Sequence, residues 1–328
     1  MIPALDPAHA PEALDVALGL ALCVTAALAL IPRSRLAQSM AFLGLGVLMT
    51  LTWLRLGSVD VALAEAALGT GLLSALLVWL AARGRPRPGP DAAPTAAASE
   101  AGGPRRFLVP ALGVLAGAVA ALIVLGVWSR AELLPPQWGE PLAEQMDGTG
   151  VTHEITGVLL SFRAYDTLLE SAVLMFAAVA VLALGRDDGF HALRVSAPAM
   201  PSTLRWLVRA TAPVLLLLAF WLLVAGSSQP GGAFQSGAVL AGLLILLRVA
   251  QVPVNRRVIR ALPALLVAGV IAFLAAGLLG PAMGQAWLAW DPAWAFAAVF
   301  SIEVLLTCGI AAALSLLYLA LENPVGAR

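Results

Sequence analysis

The chain reads as an all-α membrane protein of about nine transmembrane helices, grouped three, two and four. Three observations predict this. Of its 328 residues, 61% are hydrophobic and only 12% are charged, about half the ~25% charge of an ordinary soluble domain. The apolar residues gather into runs at 14–31, 36–54, 60–82, 107–128, 167–185, 207–226, 234–250, 261–280 and 295–320, near the ~20 residues a bilayer-spanning helix needs. The arginines also segregate to one side of the topology those runs define.

Taken in order, the first three runs form a block over 1–82. A linker follows at 83–106, RGRPRPGPDAAPTAAASEAGGPRR, whose Pro, Ala and Gly supply too little apolar surface to offset the entropy of ordering. The next two runs form a block over 107–185, separated by the polar stretch 129–166. A connector at 186–206 leads to a four-run block over 207–328. With the N-terminus outside and the C-terminus cytoplasmic, every arginine except Arg55, Arg130 and Arg163 falls inside, as the positive-inside rule demands. The acidic start (Asp6, Glu12, Asp15) has the wrong sign for a cleaved signal peptide, so the first run is expected to be retained. Trp287, Trp290 and Trp294 are expected in an outer aromatic belt. Val151, Ile155, Val158, Leu159 and Phe162 recur at helical spacing. They predict an interfacial helix near 151–163, a turn at 163–166, and then the fifth span; one long tilted helix is the alternative.

Composition excludes several classes of function. Formal net charge is zero, all 19 basic residues are Arg, and no basic stripe suits a nucleic acid. Cys23 and Cys308 sit in apolar runs and read as small packing residues. The histidines His9, His153 and His191 have no metal-ligand spacing. No metal, no cofactor and no catalytic activity of its own is expected.

The chemistry therefore rests on acids inside spans. A carboxylate in hydrocarbon is costly, so it faces protein or water and marks an ion or proton route. Glu65 stands among Ala62, Ala64, Ala66, Ala67, Gly69 and Gly71, small residues that suit a close helix interface. A structural hydrogen bond is the alternative there. Asp60 is expected to cap the helix start. Glu170 follows Asp166 by four residues and Arg163 by seven, a spacing that shares one helix face. Glu303 has Ser301 and Thr307 as local partners. His153 and Glu154 are candidates for a surface relay, since histidine titrates near neutrality; a solvated face is the alternative. In 228-SQPGGAFQSG-237, Pro230, Gly231 and Gly232 dictate a tight turn that a neighbour can approach closely, with Phe234 beside it.

Three stretches carry a resemblance. The sequence 163-RAYDTLLESAVL-174 resembles the R-G-[FY]-D-T-L-G-E pattern of the E-type subunit of membrane-bound hydrogenases and of the C-terminal part of the large A-type subunit of Mrp antiporters. The stretch 59-VDVALAEAALGTGL-72 resembles the P-D-V-A-L-x-E-A-x-x-G-A-G pattern of the D-type hydrogenase subunit. The stretch 230-PGGAFQSGAVLAGLLIL-246 resembles the P-G-G-G-F-Q-G-G pattern of the B-type Mrp subunit, called F in the hydrogenases. Ala164, Leu169, Ala233 and Ser236 replace glycines of these patterns, and Ser228 stands where relatives often carry a histidine, for which His153 is a candidate substitute. The order matches the three-, two- and four-run blocks. The resemblance implies an accessory subunit of an Mrp-type sodium/proton antiporter, or of a related complex-I-like or hydrogenase assembly, in a bacterial inner membrane. Its partners would be antiporter-like large subunits, small Mrp-type subunits and the lipid bilayer, and its cargo Na+ or H+. Glu65 and Glu170 would carry the path, with Arg163 and Asp166 tuning access. A chain without lysine cannot be an antiporter-like large subunit, whose broken helices use Lys and Glu pairs. A scaffold that docks such subunits without an ion path of its own is the rival reading. No internal inverted repeat supports a stand-alone transporter.

Overall fold

The computed structural model describes residues 13–31, 34–83, 105–131, 139–184 and 201–322. Among these residues all the regular structure is helical. In order the helices are α1 (Ala13–Leu30), α2 (Arg35–Arg55), α3 (Val59–Ala64) and α4 (Ser74–Arg83), then α5 (Arg105–Ala131) and α6 (Gly139–Gln145). After them come α7 (Glu154–Gly157), α8 (Ala164–Leu184), α9 (Ser202–Ala225), α10 (Ala233–Val249), α11 (Arg256–Ala282) and α12 (Ala295–Glu322). A π-helical segment, Glu65–Leu73, joins α3 to α4, and a second, Val158–Phe162, continues α7.

Among the described residues, seven helices are long and apolar enough to cross a membrane: α1, α2, the helix Val59–Val78, α8, α9, α11 and α12. Gly113–Val127 within α5 and α10, Ala233–Val249, are apolar but shorter. The 27 residues of α5 exceed a span in length, while at 1.5 Å per residue the 17 residues of α10 reach about 26 Å, just under a ~30 Å hydrocarbon core.

Residues 84–144 form a compact unit of their own, within which α5 runs 27 residues with arginines at both ends. The other compact unit holds 1–83 and 145–328. There, α2 ends at Gly57, whose φ of +76° permits the left-handed closing residue of a helix, and Ser58 N–H returns to Trp53 O at 2.9 Å. The three-residue connection Leu56–Ser58 turns the chain directly into α3. Arg55, buried at the end of α2, reaches Asp15 of α1 through Nε at 2.8 Å, so its charge is neutralised within the protein.

The centre of this unit is α12. It buries Val299, Ile302, Leu306, Ile310, Ala312, Ala313 and Leu316 against α8, α10 and α11. Small residues allow the crossings: Gly237 of α10 lies against Ile310 and the Thr307 carbonyl, and Gly269 of α11 lies against the Leu305–Leu306 backbone. Close backbone approach of this kind is how helices associate where lipid supplies no hydrophobic drive.

The segment before the fifth run is helical, but shorter than 151–163. Val151 is buried in the core, the helix starts at Glu154, and a single residue, Arg163 (φ −124°, ψ 32°), breaks it from α8. The π geometry frees carbonyls that side chains then take: Thr167 Oγ1 donates to Leu159 O at 2.6 Å and Trp290 Nε1 to Leu160 O at 2.7 Å. Trp290 and Trp294 pack edge to face, 5.9 Å between ring centres. Trp290 thus braces this segment, and of Trp287, Trp290 and Trp294 only Trp287 is exposed.

Candidate functional site at the start of α10

The connection from α9 to α10 is a turn threaded through close quarters. Gly226 ends α9, and Gly232, at φ +106°, opens α10. A side chain at Gly232 would be strained by that φ and would stand 3.1 Å from Glu303 Oε1. A Cβ on Gly226 would meet the same oxygen at 3.1 Å, and one on Gly231 would strike the Leu222 carbonyl. Gly232 N–H donates to Leu222 O at 2.8 Å, and Ser236 Oγ to Ala219 O at 2.7 Å. These bonds fold the turn back onto α9.

Three other stretches hold this turn. From α3, Asp60 Oδ1 accepts the Gly231 N–H at 3.0 Å, while Gln235 Nε2 donates to the Asp60 carbonyl at 3.3 Å. From the segment before α7, the N–H groups of Thr152 and His153 donate to Ser227 O at 3.0 and 3.3 Å. Thr156 Oγ1 donates to Gly226 O at 2.6 Å. His153 Nε2 meets Asp60 Oδ2 at 3.0 Å, both side chains 14% exposed. From α12, Glu303 accepts the Ala233 N–H at the first residue of α10. It is 2% exposed, and its Oε2 has no hydrogen-bond partner among the described residues. The N–H groups entering α10 are thus taken by carboxylates from two other helices, the favourable sign for a helix N-terminus.

The structure brings together Asp60, His153, Pro230, Gly231, Gly232 and Glu303 among the residues singled out from sequence. It corrects the capping role of Asp60: Ser58 precedes α3 without a side-chain cap bond, and the Asp60 carboxylate is committed to Gly231 and His153. Asp166 and Glu170 share a face of α8 and line an open crevice with Phe234, the residue after Ala233. Arg163, outside α8, forms an ion pair with Asp166, their side chains 70% and 46% exposed. Glu170 is exposed, and so is Glu154. Glu65 opens the π segment half-buried, its carboxyl folded over Gly69 of its own helix; among the described residues no hydrogen bond ties it to the α10 turn. Beside it an apolar crevice of about 830 Å³ runs between the π segment and α10.

Sequence reasoning missed Gly226, Thr156, Gln235 and Ser227. Gln235 lies inside the quoted glycine-rich stretch and was open to notice. Thr156 and Ser227 contribute a hydroxyl and a carbonyl to partners about 70 residues away, which no periodicity announces.

The family described as "Domain related to MnhB subunit of Na+/H+ antiporter" matches residues 203–321, and the MbhD family, described as the D-type subunit of MBH, matches residues 20–86. The first includes the α10 turn and Glu303, the second Asp60 and Glu65. No curated protein matches the chain. Among solved structures, a chain of the Mrp complex from Dietzia sp. DQ12-45-1b shares the fold, with a TM-score of 0.69 and 23% identity, over 99% of this chain and 37% of that one. The present chain therefore spans little more than a third of that chain's length. One polypeptide thus carries a region matching the MbhD family, followed by a region matching a domain related to the MnhB subunit of Na+/H+ antiporters.

Proposed function

We propose that the chain is an accessory, non-catalytic subunit of an Mrp-type sodium/proton antiporter assembly, or of a related complex-I-like or hydrogenase assembly. We place it in the bacterial inner membrane with its N-terminus outside. Its partners there are antiporter-like large subunits and small Mrp-type subunits. Its intramembrane carboxylates line part of a proton or sodium path: Glu170 and Asp166 in the open crevice, Glu303 at the Ala233 N–H, and Asp60 and Glu65 on the helix that flanks α10. The supporting observation is convergence. The D-like and E-like stretches, distant in sequence, both reach the first turn of α10 in the B-like stretch: Asp60 accepts the Gly231 N–H, and Asp166 and Glu170 line a crevice with Phe234. In a bilayer such groups persist where they face protein or water.

The scaffold reading draws support from the Asp60 carboxylate, both of whose oxygens are satisfied inside the protein. The assembly purified through this chain and reconstituted in vesicles separates the two. Glu65→Gln abolishes coupled exchange in an assembly of unchanged subunit composition if the chain lines the path. Unchanged ion flux in that intact variant sinks the path reading, and dissociation on gel filtration supports the scaffold.

A further inference from the structure

Resting on the ion-path reading, we propose that the first turn of α10 holds one exchangeable monovalent cation, a proton or a sodium ion, between Glu303 and the Asp60–His153 pair. Asp60 and Glu303 hold N–H groups two residues apart, those of Gly231 and Ala233. The base bonded to either carboxylate among the described residues is His153, and it faces Asp60 only. Glu303 is left with one backbone N–H and the partial positive end of α10, worth about half a charge. A buried carboxylate is expensive without a full counter-charge or a proton.

The orphaned oxygen sharpens this. Glu303 Oε2 is buried with no partner among the described residues. Ionised, it lacks a donor or a cation; protonated, its O–H lacks an acceptor. Either state requires something held at that oxygen. A pure helix cap would have no use for the second oxygen, and an amide would serve as well.

The surrounding charges do not fill the gap. Arg248 lies 15 residues along α10, roughly 22 Å away at 1.5 Å per residue. Arg205 and Arg209 open α9, and Arg256, Arg257 and Arg260 open α11, each at the far end from this turn. Arg55 is engaged with Asp15. Asp147, on the short turn beside α12, is exposed, as is Glu170 of α8, while Asp166 is paired with Arg163. Glu65 turns back over Gly69, and Asp291 bonds the Ala293 N–H at 2.9 Å. The glycines let the turn lie close against the carboxylate: Cβ atoms on Gly226 and Gly232 would each stand 3.1 Å from Glu303 Oε1.

The test uses the assembly purified through the full chain. Calorimetric titration with NaCl at constant ionic strength reads sodium. Infrared difference spectra, stepped in pH in H2O and D2O, read a carboxyl proton. The expected result is one of two: a saturable sodium heat lost in Glu303→Gln, or a protonated-carboxyl band that titrates, shifts in D2O and vanishes in Glu303→Gln. Asp60→Asn removes a negative charge from across the turn and weakens whichever signal is found, by about tenfold in sodium affinity or about one pH unit. Should Glu303→Gln fail to assemble, Asp60→Asn and Glu303→Asp carry the assignment. A wild-type assembly with neither a sodium heat nor a titrating carboxyl overturns the proposal and leaves Glu303 as a cap. Retained binding in an assembly that exchanges no ions sinks the path reading instead, so the two failures are distinct.

Discussion

The acids of α8 and the acids around α10 are the same chemistry in two environments. Arg163 and Asp166 form a pair that is mostly exposed, and Glu170 beside them opens onto a crevice. Asp60, His153 and Glu303 are folded into the protein, the two carboxylates tied to backbone N–H groups on a turn that glycines make possible and His153 tied to Asp60. An exposed pair is worth about 0–1 kcal/mol. A buried one is strongly felt when a single partner is removed. The first region can change charge without disturbing the fold; the second tolerates a change only where the substitute keeps the bond to the turn. An ion path needs both: a place where ions arrive freely, and one where they are held selectively.

Breaking a buried pair should give the largest effect on stability. Arg55→Leu removes the guanidinium that lies 2.8 Å from Asp15 and should cost about 3 kcal/mol or more, read as a lower thermal midpoint of the purified assembly. Gly232→Ala comes next. It forces a side chain into φ +106° and toward Glu303, at about 1–3 kcal/mol of strain, again as a lowered midpoint. If Gly232→Ala melts like the parent, the buried turn is not the rigid element described. Arg163→Ala, which removes an exposed pair, should change the midpoint by no more than about 1 kcal/mol. Glu170→Gln should change stability least, within about 0.5 kcal/mol for an exposed position, while lowering sodium/proton exchange in vesicles. A large loss of stability in Glu170→Gln would erase the contrast between the two regions.

How much of this is legible in the sequence follows from how local each feature is. The helix at 154 and the break at Arg163 are readable, because apolar spacing and a cluster of charge act over a few residues. Glu303 is readable as an acid within a span. Asp60 misleads because its partners, His153 and Gly231, lie 93 and 171 residues away, and its place in the first turn suits a cap equally well. Trp290 suggests a membrane belt because tryptophan commonly sits there; its partner, the carbonyl of Leu160, becomes available only once the π segment forms. The glycine-rich turn is recognisable as a place of close approach, but only the fold shows that the approaching group is a carboxylate.

Sodium/proton exchange by vesicles holding the assembly with Glu303→Gln tests the central claim most directly. Glutamine keeps the volume of Glu303 and can still accept the Ala233 N–H, so the turn should hold. The account predicts an exchange rate at least about tenfold lower, equivalent to about 1.4 kcal/mol in the barrier, with subunit composition and thermal midpoint preserved. Exchange at the parent rate in that intact variant would contradict it.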